Sequence, residues 1–262
     1  MTVVSPDELQ PGNLLAGRFR LLRTLGRGAM GTVWLARDEH LDEEAVACKF
    51  LSGALVRDRQ AISSLKREVL LARRLRHPHI IAVHTFWDVE GLNFITMEYV
   101  DGTDLAQALN ERDGPFPIHE VLPWVRNLCN ALDFAHDQGV LHRDLKPANF
   151  LLGSDGLVRL ADFGIARTMS DLQQRFSGGT TCGTVMFMSP EQLMGDPVDR
   201  RSDLYSMAAS AYEMLAGLPP FHKGAIVAQV QWKPAPPIAH LSEAVNRVLL
   251  KALSKKPEDR QA

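Results

Sequence analysis

His142-Arg143-Asp144-Leu145-Lys146-Pro147-Ala148-Asn149, with Asp162-Phe163-Gly164 a short way on, concentrates more chemistry than any other stretch of the chain. It holds a carboxylate able to take a proton (Asp144), a side-chain cation (Lys146) and two oxygen donors (Asn149 and Asp162). A neutral amide oxygen near a carboxylate suits a hard divalent cation such as magnesium. The set as a whole suits movement of a phosphoryl group. That reaction asks for in-line positioning and cations over the phosphate oxygens more than for covalent help. The competing reading is a polar helix-to-strand loop with a chance Asp-Phe-Gly turn, and the length of the string speaks against it.

Upstream, Gly26-Arg27-Gly28-Ala29-Met30-Gly31-Thr32-Val33 has the spacing G-x-G-x-x-G-x-V. A dinucleotide-binding loop of this kind opens a helix, but Val33-Trp34-Leu35-Ala36 reads as strand. Strand, turn and strand make a flap whose backbone can approach phosphates, because glycine puts no side chain in the way. On its own the loop fits an ordinary Gly-rich hairpin equally well. Val46-Ala47-Cys48-Lys49 follows in a strand, where alternation puts Ala47 and Lys49 on one face and Cys48 on the other. Lys49 can hold phosphate oxygens if a carboxylate orients it, and Glu68 in the next helix is the candidate. Each of the two, taken alone, also fits a solvated surface.

Short runs rich in β-branched and aromatic residues predict strands over 18–25, 32–37, 45–51, 80–87 and 92–100. One helix over 58–76 interrupts them, with Ile62, Leu65, Val69 and Ala72 as its apolar stripe and His77-Pro78 as its stop. Beyond Asp101-Gly102 the period turns helical. Val121, Val125, Leu128, Leu132 and Ala135 mark one helix, stopped by Gly139. Leu204, Ala208, Ala211 and Leu215 mark another, stopped by Gly217, and Leu241, Val245, Val248, Leu249 and Ala252 a third. Short strands over 150–152 and 158–161 flank the turn Ser154-Asp155-Gly156. The expected fold is α+β within one domain, 1–262. A small β-rich lobe with one main helix (15–100) is joined through residues 98–103 to a larger helical lobe (101–262).

Lys plus Arg total 29 against 31 Asp plus Glu, a balance that gives no reason to expect nucleic acid as a partner. The three cysteines, Cys48, Cys129 and Cys182, are odd in number and lack C-x-x-C spacing, which fits a reducing, cytoplasmic compartment. No apolar run reaches the length of a membrane span, and residues 1–11 lack the basic start and apolar core of a signal peptide. This segment is therefore expected to make no membrane contact, which leaves room for an anchor in a longer parent. His77 and His79 read as part of the turn after the helix rather than as metal ligands.

These motifs resemble Hanks-type protein kinases over almost the whole chain. Glu98-Tyr99-Val100-Asp101-Gly102 and Asp162-Phe163-Gly164-Ile165-Ala166-Arg167 look most like bacterial receptor-type Ser/Thr kinases. The resemblance implies a two-lobed protein kinase fold, ATP and Mg2+ as cofactors, and Ser/Thr hydroxyls of proteins as acceptors. It implies that Gly26, Gly28 and Gly31 cover the nucleotide phosphates and that Lys49 contacts them, paired with Glu68. Asp144 is then the base, Lys146 steadies the transferring group, Thr184 bonds both, and Asn149 and Asp162 hold magnesium. Leu25, Val33, Ala47, Met97 and Leu151 border the adenine, whose edge meets the backbone of Glu98 and Val100. His142 packs under Phe163, Glu191 pairs with Arg260, and Asp203 holds the catalytic loop.

Ser189, Val185 and Phe187 stand where the family commonly has Ala, Pro and Tyr. Thr180, with Thr181 and Ser177 as alternatives, is the implied regulatory phosphosite, clamped by Arg143 and Arg167. Ala148, where Arg-selecting kinases often carry Glu, implies weak selection for Arg before the acceptor. Pairing of two copies through the small lobes and a parent anchored in the inner membrane are further implications. The family's last helix would follow Arg260 and is expected to be missing. The alternative is a catalytically weak pseudokinase, an ATP-binding scaffold or sensor. Its mark would be loss of Lys49, Asp144 or Asp162, and all three are present.

Overall fold

The period-two runs of the first hundred residues pair into a six-stranded antiparallel sheet. Its strands are β1 (Leu14–Leu15), β2 (Phe19–Gly28), β3 (Gly31–Asp38), β4 (Glu44–Leu51), β5 (Val83–Val89) and β6 (Leu92–Glu98), ordered β1-β2-β3-β4-β6-β5. The computed structural model describes residues 6–28, 31–51, 59–89, 91–163 and 182–261. Register gives the sheet two unlike faces. Val33 pairs with Lys49 and Leu35 with Ala47, while Ala47 pairs with Met97 and Lys49 with Ile95. Directly paired residues share a face, so these side chains stand together. The opposite face sends Trp34, Ala36, Val46, Cys48 and Phe50 into a core with Phe19, Leu21, Leu92 and Phe94. Phe50 stacks on Phe94 at 5.1 Å, and Phe19 meets Trp87 edge-on at 5.1 Å.

Cys48 is fully buried in that core, and burial pushes its thiol up to about 12. Only the thiolate is nucleophilic. Native protein should therefore leave Cys48 unlabelled by iodoacetamide at neutral pH, with labelling appearing by mass spectrometry only after denaturation.

Helix α1 (Arg59–Ala72) buries Leu65, Val69 and Ala72 and packs along β5. It is shorter than the expected 58–76, although Arg73 N still donates to Val69 O and Arg74 N to Leu71 O. The strand expected over 80–87 begins at Val83. Ile80 is diverted into a parallel bridge with Leu160, and its N–H closes a turn on His77 O. The strand expected to reach Val100 stops at Glu98.

Among the described residues the chain forms two compact units. One comprises residues up to Arg76 with Ile81–Val100; the other comprises His77–Ile80, 101–163 and 182–261. The second contains a small sheet of β7 (Gly102–Asp104), β8 (Phe150–Gly153) and β9 (Val158–Leu160). Its helices are α2 (Leu105–Glu111), α3 (Ile118–Asp137), α4 (Cys182–Val185), α5 (Pro190–Met194), α6 (Arg200–Ala216), α7 (Ile226–Trp232) and α8 (Glu243–Ala252). Helix α6 packs against both α3 and α8 and is buried over most of Ser202 to Leu215. A helix without a polar face belongs at a centre. Gly217, at φ 80, ends it in the left-handed conformation that glycine adopts without a Cβ clash.

Helix α8 corrects the expected stripe. Val248 is 62% exposed, and Asn246 takes an inward position instead. Its Oδ1 accepts from Ile238 N at 2.8 Å, and its Nδ2 donates to Ile238 O at 3.0 Å. A polar side chain that satisfies a loop backbone outranks an apolar one there.

Gly102 pairs with Gly153 across β7 and β8, and a Cβ on Gly102 would run into the carbonyl oxygen of Leu152. Gly102→Ala should separate these strands and cost about 1–3 kcal/mol, as overpacking does. Equilibrium urea denaturation reads this directly.

Candidate active site

In the first unit the β2–β3 hairpin forms the glycine flap, with Gly26 opposite Val33, Arg27 opposite Thr32 and Gly28 opposite Gly31. Gly31 has φ 131, a backbone conformation L side chains rarely adopt. A Cβ on Gly26 would meet nothing within 4 Å, so the surface beside Val33 is clear. The register passes from Thr24–Trp34 to Gly26–Val33, which leaves Leu25 as an extra residue, 36% exposed. Such an insertion bends a strand and re-aims its side chains. Leu25 is therefore a large apolar group held out of the core at the base of the flap.

Val33, Ala47, Lys49 and Met97 share the face away from the aromatic core. Lys49 is only 4% exposed, an environment in which lysine is rare unless paired. Glu68 lies on α1 of the same unit. At the end of β6, Glu98 N donates to Ala82 O at 2.8 Å, and its carboxylate Oε2 accepts from Ala82 N at 3.1 Å. The Glu98 N–H is thus committed to Ala82. Val100 follows as the last described residue of this unit.

In the second unit the His142–Asn149 loop is pinned from several sides. Asp203, in the first turn of α6 and 1% exposed, takes His142 N on Oδ2 and Arg143 N on Oδ1, each at 2.8 Å. His136 Nε2 lies 2.8 Å from the same Oδ2. Gln192 Nε2 donates to Arg143 O at 2.9 Å. Arg143 is thereby held through both its N–H and its carbonyl in a left-handed conformation, φ 67. A non-glycine residue there costs about 1–3 kcal/mol and persists only where its surroundings impose it. Asp162 shows the same feature at φ 64.

The result is a defined place for Asp144, which is 8% exposed. Lys146 Nζ donates to its Oδ1 at 3.1 Å and Oδ2 at 2.9 Å, and reaches Thr184 Oγ1 at 3.4 Å. Asn149 Nδ2 donates to Asp144 O at 2.6 Å and to Oδ2 at 3.1 Å. With the amide nitrogen turned to Asp144, the Asn149 Oδ1 is the atom left to offer a cation. Ala161 N donates to Asn149 O at 2.9 Å, which brings the next residue, Asp162, beside it. That bond also ends β9 at Leu160, one residue short of the expected strand. Leu151 lies in β8 opposite Arg159 and Asp104.

His142 has no exposed surface; its ring meets Phe163 at 4.6 Å, with Nε2 2.9 Å from Ala161 O. Burial pushes its pKa down. It supports the loop and carries no proton chemistry. His79 Nδ1 lies 2.7 Å from Val158 O and His77 stacks on Phe134 at 5.4 Å, so both have structural partners.

Ser189 gains a physical reason. It caps α5 in a reciprocal capping box with Gln192, which alanine could not form. Gln192 in turn reaches Arg143 O, so this cap is tied to the catalytic loop. Val185 and Phe187 are both buried. Glu191 and Arg260 form a two-pronged pair at 2.7 and 2.8 Å, and Ser202 Oγ donates to Glu191 at 2.6 Å. Ser177, Thr180 and Thr181, like Arg167 and Gly164, lie outside the described residues.

The structure thus gathers Asp144, Lys146, Asn149 and Thr184, with Asp162 adjacent along the chain to Ala161. Lys49, Glu68, Gly26, Gly28, Gly31, Leu25, Val33, Ala47, Met97, Glu98 and Val100 all belong to the other unit. Sequence reasoning missed His136, Gln192 and Ser202. Their partners lie 67, 49 and 11 positions away; the Ser189-x-x-Gln192 spacing marks Gln192 as a helix cap, but no local pattern marks the long-range contacts.

A family model described as Protein kinase domain matches residues 19–262. The chain is 40% identical over 257 residues to Serine/threonine-protein kinase PknB of Mycobacterium leprae, covering 94% of this chain and 41% of that protein. It is 39% identical over 264 residues to Serine/threonine-protein kinase PknF of Mycobacterium tuberculosis, covering 96% of this chain and 55% of the relative. It therefore spans about two fifths to a little over half the length of these relatives. The solved Mycobacterium tuberculosis PknI kinase domain superposes with a TM-score of 0.75 at 35% identity, over 97% of this chain and 94% of that one. From the glycine flap to the Glu191–Arg260 pair, the chain belongs to the protein kinase domain family.

Proposed function

We propose that the chain is the catalytic domain of an ATP-dependent protein serine/threonine kinase, moving the γ-phosphoryl group to Ser/Thr hydroxyls. The observation that carries this reading is Asp144 held by both Lys146 and Asn149, with Thr184 on the same lysine. Asp144 orients the acceptor hydroxyl and takes its proton. Proton abstraction is late in a loose transition state, so an aspartate suffices. Lys146 supplies positive charge beside that carboxylate. Lys49, oriented by Glu68, holds phosphate oxygens under the backbone of Gly26, Gly28 and Gly31. Leu25, Val33, Ala47, Met97 and Leu151 provide the apolar surface for adenine. Since the Glu98 N–H is taken by Ala82, the Glu98 carbonyl and the Val100 backbone are left to read the adenine edge.

The Asn149 amide oxygen and the Asp162 carboxylate fit magnesium, which takes few protein ligands and completes its shell with water and phosphate oxygens. Bound there, it would neutralise phosphate charge. The preference for Ser/Thr rests on Lys146 and on the relatives PknB and PknF, both serine/threonine-protein kinases by name. A cytoplasmic domain of a parent anchored in the inner membrane, and pairing of copies through the first unit, belong to the same reading. No described helix is long and apolar enough to cross a membrane.

The test is transfer from γ-labelled ATP with magnesium to a generic acceptor protein. Label should appear on serine and threonine and fall to background in Lys49→Ala. Absence of label from folded protein, or label on tyrosine, overturns the reading; nucleotide binding without transfer would mark a scaffold. Phosphate on Thr180, Thr181 or Ser177 is expected in active protein, and a fully active sample with none by mass spectrometry would exclude that mode of activation.

A further inference from the structure

The outward face of α1 takes no part in the site. At about 100° per residue, Leu65, Val69 and Ala72 form the buried side. Ser63, Arg67, Leu70 and Arg74 line the opposite, exposed side, with Leu71 and Arg73 flanking them. Leu70 is 56% exposed and Leu71 41%. The helical turn carried on by Arg74 N to Leu71 O, 3.0 Å, keeps Arg74 in this row. Among the described residues, Arg67, Arg73, Arg74 and Arg76 make no ion pair or side-chain hydrogen bond. Their neighbour Lys66 differs: it meets Asp88 at 3.3 Å and lies 5.0 Å from the Phe86 ring centre. Arg73, Arg74 and Arg76 follow Ala72, the last residue of α1, where cations answer the negative end of the helix dipole, which accounts for them. It does not account for Arg67, nor for two leucines left in water among arginines in a chain whose net charge is −2.

We propose that this face docks an acidic segment of a partner protein, which sets an apolar side chain on Leu70 and Leu71 and carboxylates against Arg67 and Arg74. Every unpaired cation here is arginine, whose planar fork binds carboxylates bidentately. Lysine would serve a lipid surface as well. Two leucines offer too little apolar surface to hold a helix in a membrane interface, which needs a continuous apolar face. They are enough for a central anchor inside a charged rim. Arg67 and Arg74 lie about 10 Å apart along the axis. The fitting segment therefore brackets one aliphatic or aromatic residue with acidic residues about two helical turns apart. Because α1 also carries Glu68, such a partner would act on that helix from outside. Binding itself does not depend on phosphate transfer.

The probe is a short fluorescein-labelled Glu-rich peptide with a central Leu-Phe, compared with its Gln counterpart, a duplex DNA and phosphatidylglycerol vesicles. The Glu peptide should bind by anisotropy and the Gln peptide should not. Arg67→Glu with Arg74→Glu should weaken binding by at least about tenfold, or 1.4 kcal/mol, and Leu70→Ser with Leu71→Ser should also weaken it. Unchanged melting temperatures separate loss of the surface from loss of the fold. If a double variant melts early, Arg67→Ala and Leu70→Ala singly read the same titration. Equal binding of the two peptides, variants that bind like the parent, or retention by vesicles or DNA alone would overturn the proposal.

Discussion

Asp144→Asn loses about 10²–10⁴-fold in the phosphoryl-transfer rate, the range a positioned general base contributes, while nucleotide affinity holds. The substitution keeps the shape of the side chain and removes its charge and proton affinity. Lys146 Nζ, 2.9 Å from Oδ2, loses its anionic partner, but the Asn149 bond to Asp144 O at 2.6 Å is to backbone and survives. The loop therefore stays in place. Its Arg143 peptide is still held by Asp203 and Gln192, neither of which touches the Asp144 carboxylate in this structure. Nucleotide contacts are assigned to other residues, so the dissociation constant for a fluorescent ATP analogue should move little. Single-turnover transfer with saturating nucleotide separates the two quantities. Transfer above a tenth of the parent rate in Asp144→Asn would remove Asp144 from the role of base. A matching loss of binding would make it a nucleotide contact instead.

The parts of this site that were legible in the sequence are those carried by contiguous strings. The Asp144–Asn149 loop and the Gly26–Gly31 flap announce themselves because consecutive positions are each unusual. The strand alternation of Ala47, Cys48 and Lys49 follows from the period of a pleated strand alone, and the structure keeps it. What stayed hidden depends on long-range pairing. Ile80 has strand-like character, yet a bridge to Leu160 takes it from β5. Val248 fits a helical stripe, yet Asn246 goes inward because it satisfies the 238–242 backbone. His136 looks like any helical histidine until α6 brings Asp203 to it. Gly102 reads only as a turn residue, while its need for a bare Cα arises from the approach of Leu152 across the sheet. Periodicity reports which face a residue would prefer; it does not report which partner will arrive.

Arg260→Ala should destabilise the second unit by about 3–5 kcal/mol, the cost of stranding one member of a buried ion pair. The Arg260 side chain has no exposed surface and that of Glu191 6%. Arg260 also donates to Ser254 O, Lys255 O and Arg201 O, so three segments, at 191, 201 and 254–255, converge on one guanidinium. At about 2–4 °C per kcal/mol for a chain of this size, the melting temperature should drop by roughly 10 °C.

A paired replacement distinguishes the stranded charge from lost packing. Arg260→Met with Glu191→Leu removes both charges and should recover much of the loss, because an apolar pair needs no desolvated partner. If the double variant is as unstable as Arg260→Ala, the backbone bonds of Arg260 are what matter. Acid supplies an independent reading. Burial alone would raise the Glu191 carboxyl, but Arg260 and Ser202 hold it below its ordinary value of 4.5. A depressed native pKa contributes stability above the unfolded value and loses it as pH falls toward the native one. The parent should therefore lose stability below about pH 4.5 more steeply than Glu191→Gln, which has no proton to take up there. Parallel acid limbs for the two proteins in urea denaturation would show that this pair does not set the acid sensitivity of the unit.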